Sequence, residues 1–387
     1  MSWAGDSLVS SDTPTKRFSF KLLGELTRGK ESSNTFFSPF SLMLCLLMLW
    51  EGASGETRDA MAGVLEFAGV DPETWQGAVR RLKSALTMNE PGLELAVANS
   101  LWCDDRLQAQ SAFLALVAEN YAAEVVRLSL QSPQAGARIN GWVAEKTRGK
   151  ISKIVSEGDL GPLALLVAVN AIYFKGSWDS PFEERLTRVE PFLVSGREPV
   201  RIPRMLRSGE FRYCETREFQ AVRLPYRGGR VGMYVFLPAK KSSLADFLGT
   251  IAAAQWDRWL SDFKEREGTV GLPRFKLEYG VYLKSILSRI GMGVVFDSVR
   301  ARFERLAPPS PPLWVDEIIH RALVEVNEEG TVAAAVTATV TVGVALHPVS
   351  PPPPFEMIVD RPFFFVICDD LSGTVLFIGA VNDPRGG

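Results

Sequence analysis

Residues 328–342 read Glu-Glu-Gly-Thr-Val-Ala-Ala-Ala-Val-Thr-Ala-Thr-Val-Thr-Val, and this run constrains the fold more than any other part of the chain. After the acidic pair and the glycine come twelve residues that are all Thr, Val or Ala. Thr and Val favour strands, and no charge, Gly or Pro keeps the run from joining a sheet. Gly343, Pro348 and the prolines of 351–354 follow, which is typical of a loop. The pattern indicates a strand-competent segment held outside a sheet that it could enter, although an ordinary strand remains the alternative.

The composition indicates a soluble globular chain with a large core. The 387 residues are 46% hydrophobic and 23% charged, with a net charge of −2. Because no linker or composition shift divides the sequence, we expect a single domain over 1–387, with 1–15 as a flexible N-terminal segment. No block of Lys and Arg is present, so nucleic acid is not an expected partner.

The sequence does not predict a membrane protein. Residues 1–14 are polar and contain no apolar core segment, so no signal peptide is visible. The most apolar stretch, 36–50, contains Ser38, Pro39 and Ser41 and is too short to span a bilayer. We therefore expect a cytoplasmic protein, or a secreted one whose leader is absent from this sequence.

Residues typical of catalytic and metal sites are sparse. The four cysteines have no metal-ligand spacing and are predicted to be unpaired buried thiols: Cys45, Cys103, Cys214 and Cys368. The chain has two histidines, His320 and His347, and no Gly-x-Ser-x-Gly, His-Glu-x-x-His or phosphate-binding glycine motif. We therefore expect neither a cofactor nor a metal, and a protein that is not an enzyme. A Ser/His/acid triad using His320 remains an alternative.

Hydrophobic periodicity changes along the chain. Helical spacing predicts helices over 18–26, 38–50, 57–67, 72–86, 111–123, 139–150, 244–248 and 282–290. Apolar runs bounded by Gly, Pro or Asp predict strands over 96–103, 165–174, 221–224, 231–237, 321–326, 355–359, 363–368 and 374–380. Helices early and strands crowded later indicate an α+β fold with large sheets.

Several motifs recur in a fixed order. They are Asn34-Thr-Phe-Phe-Ser-Pro-Phe-Ser41, Asn170-Ala-Ile-Tyr-Phe-Lys-Gly-Ser-Trp178, Leu224-Pro-Tyr226, Met233-Tyr-Val-Phe-Leu-Pro238, Leu272-Pro-Arg-Phe-Lys276, Glu328-Glu-Gly-Thr331, Arg361-Pro-Phe-Phe-Phe365 and Gly379-Ala-Val-Asn-Asp-Pro384. In this order they resemble the serpins, a family of serine protease inhibitors, over roughly 16–384. The chain looks like an inhibitory, prokaryotic member of that family.

The resemblance implies a serpin fold with about nine helices, three β-sheets and an exposed reactive-centre loop over 328–354. The implied activity is suicide inhibition. A target serine protease cleaves the loop and forms a covalent acyl complex, and the freed segment then inserts into the central sheet and traps the protease. The implied inhibitor is a monomer with some risk of loop-sheet polymers, because the inserting strand is uncharged and apolar.

The resemblance also assigns site residues. The hinge consists of Glu328, Glu329, Gly330, Thr331, Ala333, Ala334 and Ala335. A cluster beneath the parting strands, the shutter, consists of Ser38, Ser41, Asn170 and His320, and Trp178 marks the breach where the loop first enters. From the residues alone, each could equally be a capping or core group, and Ser38 before Pro39 is a good N-cap by itself.

The expected scissile bond follows from counting along the loop. In serpins this residue usually lies fourteen positions after the hinge glycine, which here places the bond between Val344 and Ala345. Small aliphatic residues suit elastase-like or subtilisin-like proteases, whose primary pocket is small. Cleavage after Ala345 or Leu346 is the alternative, and Leu346 would suit chymotrypsin-like or cysteine proteases. A non-inhibitory serpin that acts as a binding protein is the remaining alternative.

Overall fold

The computed structural model describes residues 13–70, 79, 90, 92–121, 123–156, 158–310, 312–330 and 352–386. The helix predicted over 72–86 therefore falls outside the described residues except for Val79. The described α-helices, numbered in chain order, are α1 Pro14–Thr27, α2 Pro39–Gly52, α3 Gly55–Val64, α4 Ser111–Tyr121, α5 Ala135–Lys146, α6 Leu244–Leu248, α7 Ala253–Asp262 and α8 Lys284–Leu287.

Helix α2 lies at the centre of the molecule. Ser38 caps it by accepting a hydrogen bond from the backbone N–H of Ser41, and Pro39 occupies the first helical position, where its missing N–H costs nothing. Nearly every residue of α2 is buried, which explains its uniformly apolar sequence.

One sheet has five strands. Its strands are β2 Leu93–Cys103, β3 Glu124–Arg127, β4 Leu166–Gly176, β10 Phe275–Tyr282 and β11 Glu317–Val326, in the order β10-β11-β4-β2-β3. Strands β11 and β4 are parallel neighbours paired directly from Glu317 opposite Val167 to Val324 opposite Phe174. Therefore no strand lies between them along this stretch.

The other sheet has nine strands, in the order β1-β14-β13-β8-β7-β6-β9-β12, with β5 also paired to β6. Their bounds are β1 Thr35–Phe37, β5 Arg188–Phe192, β6 Val200–Glu215, β7 Phe219–Pro225, β8 Val231–Pro238, β9 Lys264–Pro273, β12 Phe355–Ile358, β13 Phe363–Asp369 and β14 Thr374–Val381. The long strand β6 joins two groups of strands, because it pairs with β5 and β9 along most of its length and with β7 at its end. The expected second and third sheets thus form one hydrogen-bonded network.

The two faces of the five-stranded sheet bury different clusters. Residues such as Ala168, Ile172 and Phe174 join the main core with α2, whereas Val169 and Tyr173, on the opposite face, pack in a second cluster with α5. This alternation follows from the two-residue period of a strand buried on both faces.

The predicted α+β fold with large sheets is confirmed, with local corrections. The helix predicted over 282–290 is wrong at its start, because β10 continues to Tyr282 and the α-helix covers Lys284–Leu287 before a π turn and a 3₁₀ turn. Strands β1, β3, β5, β6 and β9 and helix α7 were not predicted, and of β10 only the start, in the motif Leu272–Lys276, was anticipated. The four cysteines are buried and free, as expected. No helix in the described ranges is long and apolar enough to cross a membrane.

Candidate functional site: the hinge and the strands that flank it

The chain reverses direction directly after β11. The backbone N–H of Asn327 donates to the carbonyl oxygen of Gly330 at 2.8 Å, and that of Gly330 donates back to Asn327 at 3.2 Å. This reciprocal pair closes a two-residue hairpin whose loop is Glu328 and Glu329. The chain therefore reaches Gly330 running antiparallel to β11.

Gly330 lies between the ends of β11 and β4. It bridges Asn327 on one side and Ser177, just beyond β4, on the other. Its φ is +130°, and a Cβ at this position would lie 2.2 Å from the carbonyl oxygen of Gly176 and 2.6 Å from the Cα of Ser177. Because both are backbone atoms, the position accepts only glycine.

The turn after β4, residues 178–182, holds the hinge from the other side. The backbone N–H of Trp178 donates to the carbonyl of Glu329 at 2.9 Å, and that of Phe182 donates to the carbonyl of Glu328 at 2.8 Å. The indole Nε1 of Trp178 donates to the carbonyl of Asn327 at 3.0 Å. The expected breach residue Trp178 thus contacts the hinge directly, while its ring stacks on Tyr226 with 4.6 Å between centroids.

The hinge carboxylate Glu328 is 2% exposed and fully engaged. Its Oε1 accepts hydrogen bonds from Thr187 Oγ1 and Arg274 Nη2, both at 2.6 Å. Burial alone would raise the pKa of Glu328, but the hydrogen bonds from Arg274 and Thr187 outweigh it, so the pKa is lowered. Neither partner was identified from the sequence, because both lie far away in the chain.

The four predicted shutter residues are brought together beneath β4 and β11. The backbone N–H of Ser38 donates to Nε2 of His320 at 3.3 Å, so Nδ1 carries the ring proton and donates to Oδ1 of Asn170. Ser41 Oγ donates to the same Oδ1 at 3.0 Å, and Ser38 Oγ donates to the carbonyl of Leu376 at 2.6 Å. The cluster therefore ties α2 to both parallel strands.

Burial lowers the pKa of His320 to about 3, so the ring is neutral at physiological pH. Its side chain is 0% exposed and both ring nitrogens are occupied by the contacts above. A catalytic triad at His320 would therefore have no access to a substrate, which argues against the enzymatic alternative.

Asn99 extends the cluster and was missed from the sequence. It lies opposite Asn170 on β2, and its Oδ1 accepts a hydrogen bond from Asn170 Nδ2. Because His320 lies opposite Asn170 on the other side, the three polar residues form one row across β2, β4 and β11. A single Asn within an apolar buried strand was the available signal. Any strand that enters between β4 and β11 must break the contact between Asn170 and His320.

The remaining predicted site residues lie outside the described residues. These are the hinge residues Thr331, Ala333, Ala334 and Ala335, the bond between Val344 and Ala345, and the alternative Leu346. Their roles stay predictions.

Comparisons with known proteins agree with this geometry. The family model described as "Serpin (serine protease inhibitor)" matches residues 13–384. A serpin-like protein of Thermococcus kodakarensis is 35% identical over 96% of this chain and 85% of its own length. Serpin B6 of Pongo abelii is 35% identical over 92% of this chain and 96% of its own length.

Solved structures give the same result. Uncleaved ovalbumin superposes with a TM-score of 0.87 at 28% identity, covering 97% of this chain and 100% of that chain. Native protease nexin-1 with heparin superposes with a TM-score of 0.86 at 27% identity, covering 97% of this chain and 99% of that chain. With a family match over nearly its whole length and relatives at 35% identity over more than nine-tenths of it, this chain belongs to the serpins, which are generally protease inhibitors.

Proposed function

We propose that this serpin is a suicide-substrate inhibitor of serine proteases that traps its target by inserting its cleaved loop between β11 and β4. The observation that carries this proposal is the position of Gly330. The hinge hairpin has already turned the chain antiparallel to β11, and Gly330 bridges to the end of β4. A strand that continued from this point would run antiparallel to both neighbours. It would extend from the existing hydrogen bond between the Trp178 N–H and the carbonyl of Glu329.

The free energy available for insertion is large enough to drive a one-way step. A strand of about a dozen residues adds roughly ten backbone hydrogen bonds, each with a net value of about 1 kcal/mol. This sum rivals the stability of a whole domain, about 5–15 kcal/mol. The uninserted state is therefore kinetically trapped, and cutting the loop releases the constraint.

Inhibition is favoured over a non-inhibitory role by the residues after Gly330. Insertion needs small, uncharged side chains near the hinge, and Thr331, Ala333 and Ala335 meet this need. Bulky or charged residues there would indicate a non-inhibitory serpin, as ovalbumin is. The proposed target class is elastase-like or subtilisin-like, from Val344 at the scissile position, and Leu346 would instead direct the inhibitor to chymotrypsin-like or cysteine proteases.

Incubation with pancreatic elastase, subtilisin and chymotrypsin tests the proposal. We expect a covalent complex with elastase that survives boiling in detergent, together with a released fragment that begins Ala-Leu-His-Pro. A fragment that begins His-Pro instead would assign the bond after Leu346. Thr331→Arg should convert the inhibitor to a substrate, because an arginine cannot be buried under the sheet without a partner. Cleavage by all three proteases without any stable complex would refute inhibition.

A further inference from the structure

The two roots of the reactive-centre loop are joined by a chain of ring contacts through one arginine. We define the proximal root as residues 327–330 and the distal root as residues 352–358, which contain β12. Between them lies Arg207 on β6, whose guanidinium carbon is 4.4 Å from the ring centroid of Phe211 and 5.7 Å from that of Phe182. These distances are within the range of cation–π contacts.

Arg207 holds the turn that supports the hinge. Its Nη1 donates to the carbonyl of Ser180, and its guanidinium packs on Phe182, so it contacts residues 178–182 at two points. Phe182 and Trp178 in turn donate their backbone N–H groups to the hinge carbonyls of Glu328 and Glu329. Arg207 therefore fixes the segment that provides the first hydrogen bond for an entering strand.

On its other side, Arg207 reaches the distal root. Phe211 makes an edge-to-face contact with Phe355, the first residue of β12, with 5.9 Å between centroids. The Phe355 ring also stacks on Tyr213 at 3.8 Å and covers Gly268, where a Cβ would lie 2.3 Å from the ring. The distal root is thus packed firmly at the point where Arg207 reaches it.

The charge of Arg207 is only weakly compensated by other charges. In the described residues Arg207 forms no ion pair, and its charged neighbour is Asp179. Burial, partly offset by Asp179, lowers the pKa of Arg207 to about 10, so the charge is held at a cost. An apolar side chain of similar length would avoid that cost but would lose the hydrogen bond to Ser180 and the contacts with the two phenylalanine rings.

We propose that Arg207 is a positioning residue for the trapping step, and that it couples the hinge to the distal root. This inference rests on the proposed inhibitory function. The acyl-enzyme partitions between loop insertion, which traps the protease, and hydrolysis, which releases a cleaved inhibitor. If the turn at 178–182 moves, the first hydrogen bond of the inserting strand forms later. A larger fraction of the acyl-enzyme is then hydrolysed before the loop inserts.

The test measures the partition ratio, defined as cleaved inhibitor released per molecule of complex formed. For R207M we expect this ratio to rise about fivefold to tenfold, since the two contacts that Arg207 makes with the turn at 178–182, the cation–π contact with Phe182 and the hydrogen bond to Ser180, are lost and act on the insertion barrier. The melting temperature of the uncleaved protein and the association rate should change little. R207K keeps the charge and a donor for Ser180 but loses the planar face, so its ratio should lie in between.

R58M is the matched control. Arg58 also lies over a ring, 3.4 Å from the centroid of Trp50, donates to a backbone carbonyl and has a pKa lowered by burial. Arg58 lies on α3, where it also forms a long ion pair of 3.9 Å with Glu51 of α2, and these contacts involve neither root of the loop. We expect R58M to leave the partition ratio unchanged, so an equal rise in R58M and R207M would overturn the inference.

Coupling to the distal root is tested by a double-mutant cycle with F355L. We expect the effects of R207M and F355L on the logarithm of the partition ratio to be non-additive. Additive effects would overturn the coupling.

Insertion is also followed without any complex, from the tryptophan fluorescence change after rapid loop cleavage. R207M should slow this change by the same factor as it raises the ratio. Absence of insertion in the cleaved wild-type protein would refute the proposed function itself, whereas equal insertion rates in wild type and R207M would overturn this inference alone.

Discussion

Replacing Gly330 by Ala is the most direct test of the hinge geometry. The Cβ would lie 2.2 Å from the carbonyl oxygen of Gly176 and 2.6 Å from both the Cα of Ser177 and the N of Trp178. No side-chain rotation relieves contacts with backbone atoms. In addition, φ of +130° places the residue in a region that costs other residues about 1–3 kcal/mol.

The expected loss of stability is set by whichever of two structural responses to the new Cβ costs less free energy. Keeping the hinge in place would cost the backbone strain plus the clash. Releasing it from β4 would give up the hydrogen bonds from Trp178 to Glu329 and from Phe182 to Glu328, at about 1 kcal/mol each. We therefore expect release, with a loss of about 2 kcal/mol in the free energy of unfolding of the uncleaved protein.

The assay compares denaturant unfolding and partition ratio in Gly330→Ala and in the control Gly209→Ala. Gly209 has φ of +153°, and no atom lies within 4 Å of the position that its Cβ would take, so this variant carries the backbone strain without the clash. We expect the partition ratio to rise in Gly330→Ala and to stay at the wild-type value in Gly209→Ala. If Gly330→Ala inhibits with the wild-type ratio, the hydrogen bond from the Trp178 N–H to the carbonyl of Glu329 has no part in insertion.

Three further predictions concern the buried polar groups. Glu328 has a lowered pKa in the folded state, so its contribution to stability is present above the unfolded pKa near 4.5 and is lost at lower pH. The difference in unfolding midpoint between wild type and Glu328→Gln should therefore shrink as the pH falls below that value. His320 has a folded-state pKa of about 3, so the unfolded state binds its proton first as the pH falls. Between pH 6 and pH 4 the free energy of unfolding of wild type should decrease by up to about 1.4 kcal/mol per pH unit because of this residue. His320→Gln should lack this part of the pH dependence of stability. Asn99→Leu leaves Asn170 Nδ2 without its acceptor in β2 and should lower the free energy of unfolding, measured by urea titration, by about 1–3 kcal/mol. An unchanged free energy of unfolding would show that the row of three polar residues does not stabilise the sheet.

The sequence predicted those elements whose burial is uniform. Strands β8 and β14 are buried along their whole length and β4 everywhere except at Lys175, so their apolar runs end within two residues of the strand ends. Strand β6 was missed because buried and exposed residues follow no simple period, and Pro203, Arg204 and Arg207 interrupt the apolar pattern. Its extended conformation is set by pairing with β5, β9 and β7, which lie elsewhere in the chain.

The residues of the candidate site were likewise only partly predictable from the sequence. The resemblance assigned roles to Ser38, Ser41, Asn170, His320 and Trp178. It assigned none to Thr187, Arg207 or Arg274, although Arg274 lies within the motif Leu272–Lys276. Thr187 and Arg274 are recognisable only because Glu328 contacts them, and Arg207 only because two phenylalanine rings flank it. Such partners depend on tertiary contacts that a single sequence does not reveal.

The direction of β11 and β4 has a consequence for how such an inhibitor is controlled. Their contact is parallel, and parallel ladders are slightly weaker per residue than antiparallel ones. A strand inserted from the hinge exchanges this one contact for two antiparallel ladders, so the reverse step would have to break both to recover the weaker one. Under the proposed mechanism each molecule would therefore act once, and inhibition would be adjusted through synthesis and removal of the protein rather than through its dissociation.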